Sequence, residues 1–79
     1  MMQPERIREL IETGLTDARV EVNGDGRHFQ ALIVTPDFEG KPLIKRHRMV
    51  YDLLQEHIDG DVLHAISMRT LTPEQWANS

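Results

Sequence analysis

Four histidines, His28, His47, His57 and His64, are the residues of this 79-residue chain best suited to chemistry. Imidazole binds metals and carries protons near neutral pH. No pair of them has the i, i+4 spacing that sets two ligands on one helix face, so sequence spacing alone gives no metal motif. Topology can join one pair. His28 falls at the start of the second strand pattern and His64 near the start of the third. If those strands are parallel neighbours, about 4.8 Å apart, both imidazoles meet at one end of the sheet. The alternative is a pair of surface histidines at a wet sheet edge. Two imidazoles without a thiol are an incomplete shell, because structural zinc takes four protein ligands. Asp25, in the turn before His28, raises the count only to three, and a partner could supply the rest. Imidazole suits iron, copper or zinc, so the donors leave the ion open. His47 lies three residues before Val50 and seven before Leu54, on the apolar side of a helix, as a packing, capping or partner-facing histidine. His57, near the end of that helix, suits its dipole.

The second candidate is a basic patch. Lys41, Lys45, Arg46 and Arg48 place four positive charges within eight residues of a chain whose net charge is −4, so the other 71 residues carry −8. A basic loop entering a helix can hold phosphate, which makes these four the candidate nucleic-acid contacts; a solvated helix start is the plainer reading. Four aromatic residues leave little to stack on bases, and Phe29 and Phe38 are expected in the core. Nucleophilic catalysis has little support. Ser67 and Ser79 are the only serines, cysteine is absent, and Gly24-Asp25-Gly26 is too short for a phosphate loop. The chain is read as a non-enzyme. The lack of cysteine also excludes disulfides and an all-protein iron–sulfur cage. With no apolar run near the roughly 18 residues of a membrane span and a polar N-terminus, a soluble cytoplasmic protein is expected. A chain this short buries only about 60% of its unfolded surface, which leaves no room for a dinucleotide fold.

The elements that position these residues follow from periodicity and punctuation. Pro4 suits a first helical position, Ile7, Leu10 and Ile11 form one stripe, and Gly14 stops the helix, giving a helix over about 4–13. Val20 and Val22 alternate with charges in a strand over about 18–22, and Asn23-Gly24-Asp25-Gly26 turns it into a second strand over about 28–35. That strand is apolar from Ala31 to Val34, as a central strand should be. Phe38 plugs the next turn. A second helix covers about 44–58, ended by Gly60, and a third strand covers about 62–70. Thr72-Pro73-Glu74-Gln75 opens a short last helix with a capping box. The order α-β-β-α-β-α makes strands 1 and 2 an antiparallel hairpin, and a right-handed crossover sets strand 3 parallel to strand 2. The expected fold is one two-layer α+β domain over residues 1–79: a three-stranded mixed sheet, order 1-2-3, with helices on one face.

This order resembles a KH domain, although Gly40-Lys41-Pro42-Leu43 lacks the second glycine of the backbone-clamping loop. Several runs together resemble the BolA family: Phe38-Glu39-Gly40-Lys41-Pro42-Leu43, Arg46-His47-Arg48-Met49-Val50-Tyr51, Val62-Leu63-His64-Ala65-Ile66-Ser67, Leu71-Thr72-Pro73-Glu74-Gln75-Trp76, and Gly26-Arg27-His28-Phe29. The likeness covers about residues 5–77, and the short chain is more similar to the IbaG-like branch than to BolA proper. The resemblance implies a class II KH-like (BolA-like) fold and partnership with a monothiol glutaredoxin. It further implies a bridging [2Fe-2S] cluster, held by thiolates of the glutaredoxin and glutathione together with His64 and a second ligand, for which His28 is the histidine form. The expected function is accessory, in iron–sulfur assembly, cluster transfer, or iron and stress regulation. Two other readings stand beside it. One is a DNA-binding transcriptional regulator using Lys41, Lys45, Arg46 and Arg48. The other is a module that docks on glutaredoxin without a cluster. The isolated protein is expected as a monomer without cofactor, and membranes are not expected as a partner.

Overall fold

The computed structural model describes residues 2–79. Its elements are α1 (Pro4–Gly14), β1 (Arg19–Gly24), β2 (Phe29–Val34), a 3₁₀ turn (Pro36–Phe38), α2 (Leu43–Leu54), α3 (Gly60–His64), β3 (Ile66–Leu71) and α4 (Pro73–Ala77). The sheet order is β1-β2-β3, with β1 antiparallel and β3 parallel to β2. The expected α+β layout is therefore present, with one helix more than the sequence suggested.

Alternation explains the layers. Phe29, Ala31 and Ile33 of β2 point into the core with Val20 and Ile66, while Gln30, Glu21 and Ser67 stay exposed. Ile7 and Ile11, one turn apart on α1, and Val50 and Leu54, one turn apart on α2, are all fully buried against that face. Phe38 closes the end of the core, also fully buried. The capping box at α4 is complete: Gln75 N–H donates to Thr72 Oγ1 (3.2 Å) and Thr72 N–H to Gln75 Oε1 (2.9 Å). Trp76 of α4 reaches the side of the sheet away from α1 and α2, where the Arg19 guanidinium sits 4.9 Å from its ring centroid.

Three details depart from the sequence reading. Gly14 is the last residue of α1 and not a left-handed stop. Its role is steric, since a Cβ there would run into the Leu53 side chain of α2. The second helix ends at Leu54, four residues early; a turn carries Ile58 back to the core through Ile58 N–H to Leu54 O (3.0 Å). Gly60 begins a helix and does not end one. Asp59 precedes it in extended geometry, and Leu63 N–H donates to Asp59 O (2.9 Å). Residues 60–64 are therefore helical, and β3 starts at Ile66.

The main correction concerns Arg46. Expected among the exposed cations, it is only 7% exposed. It stands four residues before Val50 and eight before Leu54, on the buried stripe of α2. Its Nε donates to Lys41 O (2.7 Å), and its Nη1 donates to Thr70 O (3.1 Å) and Gln75 Oε1 (2.9 Å). The guanidinium also lies 5.7 Å from the Phe38 ring centroid. One side chain thus ties α2 to the preceding loop, to β3 and to the cap of α4, and it is not free to contact a nucleic acid. Loss of a buried, charge-assisted set of this kind costs about 3 kcal/mol. Arg46→Ala should lower the midpoint of a thermal melt by more than 10 °C on the scale of about 4–8 °C per kcal/mol for a domain this size. Arg46→Lys should recover only part of that, because an ammonium cannot span the three acceptors in the same plane.

Candidate functional site

His28 and His64 are brought to the same end of the sheet by the parallel register. Phe29 pairs with Ile66, and Phe29 N–H donates to Ala65 O (3.0 Å). The two histidines therefore stand one residue ahead of the two members of that hydrogen bond, on neighbouring strand entries spaced by about 4.8 Å. Both are exposed. His64 does not lie on β3 as expected. It is the last residue of α3, one turn of helix that delivers the chain to the strand.

The approach to His28 is fixed by Asp25. Asp25 Oδ1 accepts from the N–H groups of Arg27 (2.8 Å) and His28 (2.9 Å), and Asp25 N–H donates to His28 O (3.2 Å). Gly26 takes a positive φ of 94° within this turn, a conformation that suits glycine. Gly24 is needed for a different reason, because a Cβ there would strike the Phe29 ring and the His28 carbonyl. The His28 N–H, then the Arg27 N–H, hold the Asp25 carboxyl below its ordinary value of 3.8. Asp25 Oδ1 is thus occupied by the turn, and Asp25 acts as the holder of His28. Among the described residues, no group of three or more His, Asp or Glu side chains could enclose a metal ion. The edge offers two imidazoles and no closed shell.

The remaining candidates lie elsewhere. His57 is exposed and borders an open hollow of about 550 Å³ together with Arg6, Gly26 and Val62. His47 is half-buried on α2. Lys41, Lys45 and Arg48 are exposed at the start of α2, at the opposite end of the sheet from His28 and His64. Sequence reasoning grouped Arg46 with them. The periodicity that placed Val50 and Leu54 in the core was the signal that separates it. No helix is long and apolar enough to cross a membrane among the described residues.

Residues 4–75 match the family described as BolA-like protein. The chain belongs to the BolA-like family. It is 36% identical over 76 residues to the acid stress protein IbaG of Escherichia coli, covering 96% of this chain and 90% of that one. The structure of a BolA homologue from Coxiella burnetii superposes with a TM-score of 0.84 at 42% identity, covering 98% of this chain and 99% of that one. The BolA domain of SufE1 from Arabidopsis thaliana superposes with a TM-score of 0.76 at 38% identity over 90% of this chain and 92% of that domain. In the SufE-like protein 1 of that plant, the matching BolA-like unit is 24% of a longer chain.

Asp25→Ala should remove the acceptor for two amides without touching the core. Amide hydrogen exchange at Arg27 and His28 should speed up in the variant at neutral pH, with the core amides of Ala31 and Ile33 unchanged. The folded carboxyl is depressed, so its contribution is present above about pH 3.8 and fades as pH falls through the lower folded value. The two proteins should therefore exchange alike in that acidic range. Equal exchange at neutral pH would mean that Asp25 does not hold the turn.

Proposed function

We propose that this BolA-like protein is a non-catalytic accessory that supplies half of a shared [2Fe-2S] site, with His64 and His28 as its two ligands and a monothiol glutaredoxin with glutathione as the source of thiolates. The observation that carries the reading is the placement of two exposed histidines at one end of the sheet, just before neighbouring parallel strands, in a chain with no cysteine and no group of three donors among the described residues. Such a donor set fits the histidine half of a mixed shell and no closed site of its own. The choice of partner rests on the resemblance to the BolA-like family. The place of a BolA-like unit inside a longer SufE-like chain supports an accessory role beside another protein unit.

The cluster would supply electron storage and exchangeable iron and sulfide, and replacing thiolate by imidazole raises its potential relative to an all-thiolate shell. This chain's own part is positional. Asp25 fixes the backbone at His28, α3 presents His64, and both imidazoles remain open to a partner's surface. Assembly, transfer, and iron or stress regulation are all served by such a half-site, and the name of the Escherichia coli relative points to acid stress as an input worth testing. A DNA-contact role would rest on Lys41, Lys45 and Arg48 alone, because Arg46 is committed inside the fold.

Anaerobic reconstitution with a monothiol glutaredoxin, glutathione, iron and sulfide tests the proposal. Visible circular dichroism should differ from that of the glutaredoxin homodimer. His64→Ala should abolish the difference, and His28→Ala should alter or weaken it. A spectrum identical to that of glutaredoxin alone would overturn the shared-cluster reading and leave docking without a cluster. Both histidines are exposed, so neither substitution should disturb folding.

A further inference from the structure

We propose that the start of α2 is a second docking surface, for a short acidic protein segment carrying apolar side chains, at the end of the molecule opposite His28 and His64. Leu43 is 62% exposed and Ile44 69% exposed, the large hydrophobic residues left open to solvent among the described residues. They are adjacent, in the first turn of α2, and are flanked by Lys41, Lys45 and Arg48. Lys41, Lys45, Arg48, Met49 and Asp52 border a shallow groove of about 230 Å³ along the same helix, which Leu43 and Ile44 do not line. None of the three cations is in an ion pair, the two ion pairs among the described residues being Arg8–Glu12 and Arg19–Glu21. Lys41 Nζ donates only to the Asp37 carbonyl, at 3.0 Å. The first turn of α2 contains no acidic residue and no side-chain cap, so its positive end is also uncompensated.

Exposed apolar side chains next in sequence to cations outside the ion pairs are complementary to a segment with apolar anchors between carboxylates. Charge distribution selects this occupant over a long polyanion. The chain carries −4 overall and these three residues contribute +3, so the remainder carries −7. A nucleic acid or an anionic membrane extends past the patch and meets that acidic body, whereas a short acidic segment covers the patch alone. Desolvating Leu43 and Ile44 also rewards an apolar partner, which a phosphate backbone does not provide. The six residues of β2 separate the two ends of the sheet by roughly 20 Å, so this surface is distinct from the histidine edge. The inference is independent of what the histidines bind.

The test is a titration of the full-length, isotopically labelled protein with a short synthetic helix bearing leucines between glutamates. Amide shifts should be confined to residues 41–49 and absent at 25–30 and 62–66. Replacing Leu43 and Ile44 together by Asn should weaken binding at least about tenfold, as should Lys45→Glu with Arg48→Glu, all with unchanged thermal melts. His64→Ala should leave the affinity unchanged. The same titration with a duplex oligonucleotide and with phosphatidylserine-containing vesicles completes the experiment. No shifts with the peptide, or tighter binding of DNA or vesicles that is indifferent to Leu43 and Ile44, would overturn the proposal. Weaker binding of both polyanions than of the peptide supports it.

Discussion

The parallel pairing of β2 with β3 is the constraint from which the rest of the molecule follows. Two parallel neighbours cannot be joined by a hairpin, so the chain must leave the far end of β2 and travel back along the sheet before β3 can begin. The 3₁₀ turn, α2 and α3 are that return path, and the path provides the second layer of the core. The register Phe29 to Ile66 is set by apolar residues facing the helices, and it aligns the residues just outside the strands as a by-product. The two histidines stand at the same end of the sheet because a hydrophobic register fixes the strand entries they precede.

The other end of the sheet is organised by a buried cation. Arg46 is held by two main-chain carbonyls, a side-chain amide oxygen and the face of Phe38, with no carboxylate among its partners. Guanidinium tolerates this because its charge is delocalised and its donors are fixed in a plane that reaches several acceptors at once. The arrangement couples elements distant in sequence: the acceptors belong to residues 41, 70 and 75. By contrast, the ion pairs Arg8–Glu12 and Arg19–Glu21 are on the surface, where such pairs contribute little. A single hydrogen-bonded side chain therefore does more for the architecture than either of the visible salt bridges.

The sequence made the strand order, the hairpin, the Phe38 plug and the last capping box legible, because each rests on a local signal: alternation, a glycine-rich turn, or a Thr-Pro-Glu-Gln start. That His28 and His64 lie at one end of the sheet was legible one step later, as a consequence of the parallel crossover. What was hidden shares a physical character. Val62-Leu63-His64-Ala65 is an apolar run too short to show whether its period is that of a strand or of a helix, and Gly60 before it suits a stop as well as a start. Arg46 was grouped with its charged neighbours by composition, although its spacing to Val50 and Leu54 placed it inside. Gly14 was read from backbone freedom, whereas its reason is the approach of Leu53, a contact between residues 39 positions apart.

The one-turn helix α3 sets how His64 can move. It is five residues long, has no side-chain cap and contains no fully buried residue. A helix of that length has almost no stability of its own, and Val62 and Leu63 hold it against the core. His28, by contrast, stands on a turn laced by three hydrogen bonds through Asp25. His64 is thus placed by the short helix α3 and His28 by the Asp25 turn, two supports that differ in kind. Local opening of α3 would shift His64 while leaving the Asp25 turn and His28 in place.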